Sequence, residues 1–324
     1  MRAVIVAEPG GPEVLEVGQA PCPEPREDEV LVRTVASGVN RADILQRRGH
    51  YPPPRGTSET LGLEASGVVE AVGSAVQRWR PGDEVVALLA GGGYAEYFVA
   101  PEGQLVPPPR GVDLVTAGGL LEVAATVVSN MDVAGLTAGE TLLVHGGAGG
   151  IGTFAIQYGK AMGCTVATTA GSEHKLEHCR RHGADIAIDY HTDWVDALKQ
   201  ATDGHGADVL LDIMGAKYLE ANVSALARGG RLVVIGLQGG VKGTLNLGML
   251  LAKSGSVHAT SLRFRPAAEK AQICRMVAET VWPLIEEGRI RTSPETRIPF
   301  DEARRAHELL DGGENVGKIV LVHP

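Results

Sequence analysis

Apolar and polar positions follow two different periods along the chain. In the first third, Arg2–Val6, Val30–Ala36, Ala65–Val72, Glu84–Leu88 and Tyr94–Val99 read as short alternating strands between Gly/Pro-rich turns. That pattern predicts a small, irregular β-barrel. Pro107-Pro108-Pro109 marks the approach to a second region. There, strands are predicted at Thr141–Val144, Cys164–Thr169, Ile186–Ile188, Val209–Asp212, Arg231–Ile235 and Val257–Leu262. Helix-like stretches fall between them at Thr153–Met162, Ser172–His182, Trp194–Ala201 and Tyr218–Leu226. Alternating strands and helices imply right-handed crossovers and a parallel sheet covered on both faces, and six strands predict a doubly wound dinucleotide-binding domain. Farther on, Ile273, Met276, Val277, Val281, Leu284 and Ile285 form an apolar helical stripe. Ile298–Phe300, Asp301–Leu310 and Lys318–Val322 then return to strand–helix–strand and are expected to close the barrel. The expected division is α/β throughout: residues 1–120, completed by 291–324, around a six-stranded domain at 121–290.

The turn after the first strand of that domain carries the clearest chemistry. Val144 to Gly152 reads Val-His-Gly-Gly-Ala-Gly-Gly-Ile-Gly, and Gly147, Gly149 and Gly152 fit Gly-x-Gly-x-x-Gly between a strand and a helix. The first glycine is expected to make the tight turn, the second to let backbone approach a pyrophosphate, and the third to pack helix on strand. Gly150 and Ile151 open the helix, whose free N–H groups and positive dipole end suit phosphate.

The end of the second strand bears on which dinucleotide binds. NAD-binding versions place an Asp or Glu there for the ribose 2′-hydroxyl. Here the sequence is Ala170-Gly171-Ser172-Glu173-His174-Lys175. Gly171 and Ser172 leave room for a 2′-phosphate, Lys175 supplies positive charge, and Tyr190 a flat partner. Ser172 also reads as a helix N-cap and Lys175 as a solvated lysine, while Glu173 in the first turn points to solvent. NADPH is the expected cofactor.

Composition narrows the class. The 324 residues suit about two domains, and 44% hydrophobic residues can fill a sizeable core. No apolar run approaches the ~20 residues of a membrane span. Cys22, Cys164, Cys179 and Cys274 are scattered, which favours a reducing, cytoplasmic setting over a disulfide scaffold. A net charge of −9 without a Lys/Arg block argues against nucleic acid or an anionic membrane as partner.

These features, with Gly62-Leu63-Glu64-Ala65-Ser66-Gly67, resemble the medium-chain dehydrogenase/reductase superfamily. Within it the chain is similar to the zinc-independent quinone oxidoreductases. Ala36 to Asp43, Gly49-His50-Tyr51 and Asn315 to Val320 are especially like the p53-inducible quinone reductase branch. The resemblance implies a GroES-like barrel domain beside a Rossmann domain. Where zinc-dependent relatives place metal ligands, this chain has Asn40, Leu63 and Glu122, which cannot supply three protein ligands, and Gly91-Gly92-Gly93 replaces the structural-zinc lobe. No metal is expected. The ten histidines read as solvated or packed, His174 and His178 among them in a surface helix.

Without a Lewis acid, the site suits an acceptor whose reduced anion is delocalised, a quinone or reactive enone. The resemblance places Asn40 and Thr126 on the nicotinamide floor and adds Gly236, Leu262, Arg263 and Asn315 to the cofactor contacts. Read locally, Asn40 is equally a strand-end turn and Thr126 a helix back-bond. Tyr51 is either a cleft residue, as proton donor or stacking wall, or an aromatic packed on Pro52-Pro53-Pro54. Gly149 stands where the p53-inducible branch has Ser, so that hydroxyl is absent. An enoyl-thioester reductase is the alternative, with Arg41, Arg47, Arg48 and Arg55 as a basic patch; a non-catalytic NADPH-binding sensor or structural protein is another. The Val257–Leu262 strand leaves an open edge, and the resemblance implies a homodimer across it.

Overall fold

The alternation at the amino end yields short, mostly antiparallel strands. β1 (Arg2–Val6) and β2 (Leu15–Gln19) pair as a ribbon. β3 (Glu29–Val39) carries β4 (Glu64–Val72) along one side, and β4 passes the sheet to β5 (Glu84–Leu88). On its other side β3 takes β6 (Tyr97–Pro101) along its first half, leaving its last residues for a strand from the far end of the chain. β7 (Leu105–Val106) pairs with β5. Three helices accompany this stretch: α1 (Arg41–Arg47), α2 (Leu114–Ala117) and α3 (Leu121–Ala134). α3 escaped the periodicity because it is apolar nearly all round, with Leu121, Ala124, Val127, Val128 and Met131 buried.

The parallel sheet follows in the predicted rhythm: β8 (Thr141–His145), α4 (Gly150–Ala161), β9 (Thr165–Ala170), α5 (Glu173–Arg181), β10 (Ile186–Asp189), α6 (Trp194–Ala201), β11 (Ala207–Asp212), α7 (Leu219–Ala225), β12 (Leu226–Val234), α8 (Leu247–Ala252) and β13 (Ser256–Ala259). Strand order is β10-β9-β8-β11-β12-β13, with every neighbouring pair parallel. Its core joins Leu143, Ala167, Leu198, Leu210 and Leu232. β12 starts before the expected Arg231, because Leu226 already pairs with Ala207 ahead of the Gly229-Gly230 irregularity. β13 stops at Ala259, so Leu262 lies outside it.

After α9 (Ala267–Thr280) and α10 (Trp282–Glu286), β14 (Glu295–Pro299), α11 (Ala303–Gly312) and β15 (Lys318–Val322) rejoin the first sheet, β15 lying antiparallel on β3. In this computed structural model, residues 1–292 and 295–324 are described. They divide into Met1–Ala125 with Leu262–Gly288 and Thr292–Pro324, and Thr126–Ser261 with Arg289–Arg291. The apolar stripe of α9 and α10 thus groups with the first unit, whereas the expected boundary at 290 leaves it in the second. Trp282 shows why: it is buried and donates from Nε1 to Pro107 O at 2.8 Å.

Candidate active site

In a doubly wound sheet, ligands bind beyond the carboxyl ends of the strands where strand order reverses. In the second unit that point lies between β8 and β11. The left-handed residue of the β8–α4 turn is Gly146, with φ of 73°, one place before the expected Gly147. Gly147 is held by packing instead: a Cβ there would lie 2.0 Å from Thr168 Oγ1. At Gly152 it would lie 2.3 Å from Gly146 O. Gly149 differs, since its Cβ would meet nothing closer than Gly146 O at 3.7 Å. Gly149 caps α4, and Gly150 and Ile151 form the first positions of the helix. Close packing, by side chains at Gly147 and by backbone at Gly152, therefore fixes two of the glycines and leaves space at the third, beside a helix N-terminus suited to an anion.

At the end of β9 no carboxylate intervenes. Tyr190 lies on the backbone of Gly171, where a Cβ would be 2.2 Å from the tyrosine oxygen. Ser172 caps α5 by position without a side-chain capping bond, and Lys175 follows, half-buried, in the first turn. Glu173 turns to Arg180 at 2.6 Å. Gly171, Ser172, Lys175 and Tyr190 are thus gathered at one sheet end. Gly236, past β12, packs on the β11 end, with its Cβ position 2.8 Å from Ile213 O. Thr126 is buried in α3, and its carbonyl accepts from Asn130 Nδ2 at 2.7 Å.

The fingerprint histidine is a strut. His145 bonds Thr169 Oγ1 at 2.9 Å and Asn222 Oδ1 at 2.8 Å, edge-on to Trp194 and Tyr218. Burial brings its pKa down to about 4. Of the two readings for the histidines, solvated or packed, His178 takes the second: it is buried on Thr153 Oγ1 at 2.9 Å, and burial lowers it to about 4.

The first unit builds its site from buried charge. Asn40 ends β3 and opens α1; its N–H donates to Asp43 Oδ2 at 2.8 Å. Asp43 also accepts from Gly62 N at 3.0 Å and Tyr94 Oη at 3.3 Å, and burial still pushes its carboxyl up to about 6. The Asn40 side chain goes elsewhere, to Glu64 and Lys318. Tyr94 reaches His307 at 3.2 Å, His307 reaches Arg47 at 3.1 Å, and Arg47 pairs with Asp311 at 2.8 Å. Leu63, at a metal-ligand position of zinc-dependent relatives, is buried. Among the described residues no group of three His, Cys, Asp or Glu is placed to hold a metal.

Tyr51 sits under a clamp. The Arg263 guanidinium lies 5.1 Å from its ring centroid, and Phe264 meets it edge-on at 5.4 Å. Arg263, expected at the cofactor, donates to Tyr51 O at 3.0 Å, Ala90 O at 2.7 and 2.9 Å, and Gln46 Oε1 at 2.6 Å. Leu262 adjoins it, half-buried, and Asn315 is half-buried before β15. Three arginines of the basic patch, Arg41, Arg47 and Arg48, converge on the single carboxylate of Asp311. Glu64, Lys318 and Asp311 do not stand out in the sequence as site residues. The signal for the first two is a charge at the opening position of a strand whose next residues are small or apolar.

Two family profiles match the chain: "Alcohol dehydrogenase GroES-like domain" over residues 26–110 and "Zinc-binding dehydrogenase" over 150–279. A quinone oxidoreductase of Pseudomonas aeruginosa is 37% identical, covering 97% of each chain. The Escherichia coli quinone oxidoreductase, solved in complex with NADPH, superposes with a TM-score of 0.88 at 29% identity over 99% of this chain and all of the other. A segment of a phenolphthiocerol/phthiocerol polyketide synthase from Mycobacterium tuberculosis is 30% identical over 98% of this chain, which spans 15% of that protein. No helix among the described residues is long and apolar enough to cross a membrane. The chain belongs to the quinone oxidoreductase family of the medium-chain dehydrogenase/reductase superfamily.

Proposed function

We propose that the protein is an NADPH-dependent oxidoreductase that reduces quinones or reactive α,β-unsaturated carbonyls without a catalytic metal. The observation that carries this reading is the donor set at the metal position. Leu63 cannot ligate, and the Lys318 ammonium already occupies Asn40 and Glu64, 2.6 Å from each. Zinc needs three protein ligands and an open position, so this set does not fit it, and alcohol oxidation loses its Lewis acid. A quinone or enone needs less help, because its product anion is delocalised.

NADPH fits the second unit: Gly149 leaves open space at the start of α4, and the β9 end holds Gly171, Ser172, Lys175 and Tyr190 without a carboxylate. Bound there, it supplies the hydride. Gly147, Gly149, Gly150, Ile151 and Gly152 receive the pyrophosphate, and the β9-end residues receive the 2′-phosphate. Asn40 and Thr126 hold the nicotinamide ribose, with Gly236, Leu262 and Asn315 completing the contacts. Arg263 contributes by holding Tyr51, whose side chain faces the acceptor, and solvent completes protonation.

Titration of NADPH and NADH tests the cofactor half. Lys175→Ala should weaken NADPH ten- to a hundredfold, the ~1.5–3 kcal/mol of a charge-assisted bond, and leave NADH nearly unchanged. Equal loss for both sinks the assignment. NADPH oxidation by a panel of quinones, enones and enoyl thioesters, before and after chelation, tests the rest. Enoyl-thioester reduction is the second reading, favoured by the three guanidinium groups of Arg41, Arg47 and Arg48 that share one carboxylate, and turnover of thioesters alone would install it. Absence of all turnover would favour a sensor. We further propose a homodimer paired along β13, whose one neighbour in the sheet among the described residues is β12, with Leu247 and Leu251 of the preceding helix α8 69% and 80% exposed. A monomeric mass by light scattering would exclude it.

A further inference from the structure

Distant residues meet around the Asn40 carboxamide. Lys318 Nζ donates to Asn40 Oδ1 at 2.6 Å and pairs with Glu64 Oε1 at 2.6 Å. Asn40 Nδ2 donates to the same Glu64 oxygen at 3.0 Å and to Gly38 O at 3.4 Å. The second Glu64 oxygen accepts from Glu122 N at 2.9 Å. Glu64 is 0% exposed, Lys318 7% and Asn40 8%. Gly38 makes the room, since a Cβ there would stand 2.2 Å from Glu64 Oε1.

This arrangement has one sense. An ammonium only donates and an ionised carboxylate only accepts. Rotating the carboxamide by half a turn would set its NH2 against the ammonium and its oxygen against the carboxylate, replacing two charge-assisted bonds by two repulsions. Both N–H groups of Asn40 are therefore engaged within the protein. What remains for a ligand is the second lone pair of Oδ1.

We propose that Lys318 and Glu64 are positioning residues that fix the polarity of Asn40. The carboxamide presents an acceptor, takes a hydrogen bond from a hydroxyl of the nicotinamide ribose, and does not polarise the substrate carbonyl. An acceptor facing the oxygen where negative charge develops would raise the barrier, so Asn40 serves the cofactor. The proposal rests on the reading of Asn40 as part of the nicotinamide site.

Removing Lys318 alone leaves a buried carboxylate unpaired and threatens the fold. Replacing the pair together, Lys318→Met with Glu64→Met, leaves no charge behind. Thermal melting establishes the fold of each variant, and fluorescence titration reads two ligands: NADPH, and adenosine 2′,5′-bisphosphate, which lacks the nicotinamide ribose. The paired replacement and Asn40→Ala should each weaken NADPH about tenfold, one hydrogen bond, and leave the bisphosphate unchanged. Because the pair acts through Asn40, combining all three changes should cost no more than either alone. Additive losses, or equal losses for both ligands, would show a merely structural role and overturn the proposal. So would an unaffected paired replacement beside an impaired Asn40→Ala, with the nicotinamide-site reading left standing. Normal NADPH affinity and kcat in Asn40→Ala would remove that reading and the proposal together.

Discussion

The two units build their candidate sites from opposite materials. In the second, the work is done by glycines: Gly147, Gly152 and Gly171 are positions where a single Cβ would strike a neighbour, and at Gly149 it would reach only Gly146 O, at 3.7 Å. In the first, it is done by buried charge: Asp43, Glu64 and Arg47 are 0% exposed, Arg263 4% and Lys318 7%. A glycine cradle tolerates no added methyl at its packed positions, and the glycines themselves carry no charge. A buried charge must keep its partner, since an unpaired ion in the interior is costly. The first unit should therefore break when one charge is removed, and the second when one methyl is added.

Acid should blur that difference, and its effect is the largest expected. Burial lowers His145 and His178 in the second unit to about 4, and His307 and His323 in the first to about 3. Below the ordinary value of 6.5 the unfolded chain takes up these protons and the fold does not, so their stability is full above pH 6.5 and drains away toward pH 4. Asp43, raised to about 6 by burial, opposes this, because the fold binds its proton first as pH falls through 6; Asp212 is raised in the same direction. Four histidines outnumber the two carboxyls, so unfolding takes up protons on balance and stability should fall between pH 6 and pH 4, by about 1.4 kcal/mol per net proton for each pH unit. Urea unfolding across pH 4–8 checks this. Constant stability down to pH 5 would mean that the histidines are not buried neutral.

Asp311→Ala should separate the units. Arg47, wholly buried, would keep its bond to Gly10 O at 3.1 Å but lose its carboxylate. Loss of one partner from a buried pair costs about 3–5 kcal/mol. Segment-resolved hydrogen exchange should locate the loss in the first unit; a cost below about 1 kcal/mol would mean that solvent screens the cluster. In the second unit, Gly152→Ala should abolish measurable NADPH binding, since its Cβ meets backbone, whereas Gly149→Ala should cost tenfold or less. Equal effects at the two positions would erase the distinction between packing glycine and ligand-facing glycine.

How much of this was legible follows the same divide. The six parallel strands and their glycine turn are written locally, in a period and a spacing that span a few tens of residues. Even there the tight turn fell on Gly146, because two adjacent glycines leave the left-handed position open. The first unit's site depends on residues far apart: Asn40 and Lys318 are 278 positions from one another, and Arg47 and Asp311 264. No local pattern pairs them, so nothing in the sequence marks the one aspartate that gathers three of the four arginines read as a basic patch. The bonds Arg263 makes to Ala90 O and Tyr51 O were hidden for the same reason, its acceptors being carbonyls that sequence does not mark. The apolar helix α3 was hidden because a helix buried on all sides shows no amphipathic period.

The smallest effect sharpens the account of the first unit most. Tyr51 is held through its ring, between the Arg263 guanidinium and the edge of Phe264. Tyr51→Phe keeps both contacts and removes the hydroxyl alone. A general acid contributes about a hundredfold or more, but a delocalised product anion can take its proton from water, so Tyr51→Phe should lower kcat by clearly less than that. Tyr51→Ala should cost more, because the clamp loses the ring it grips and the acceptor its wall. Steady-state kinetics with one quinone, alongside NADPH titration, reads both. If Tyr51→Phe abolished turnover with NADPH affinity intact, proton donation by the hydroxyl would be obligatory. The first unit would then act by its acid–base chemistry rather than by the geometry its buried charges impose.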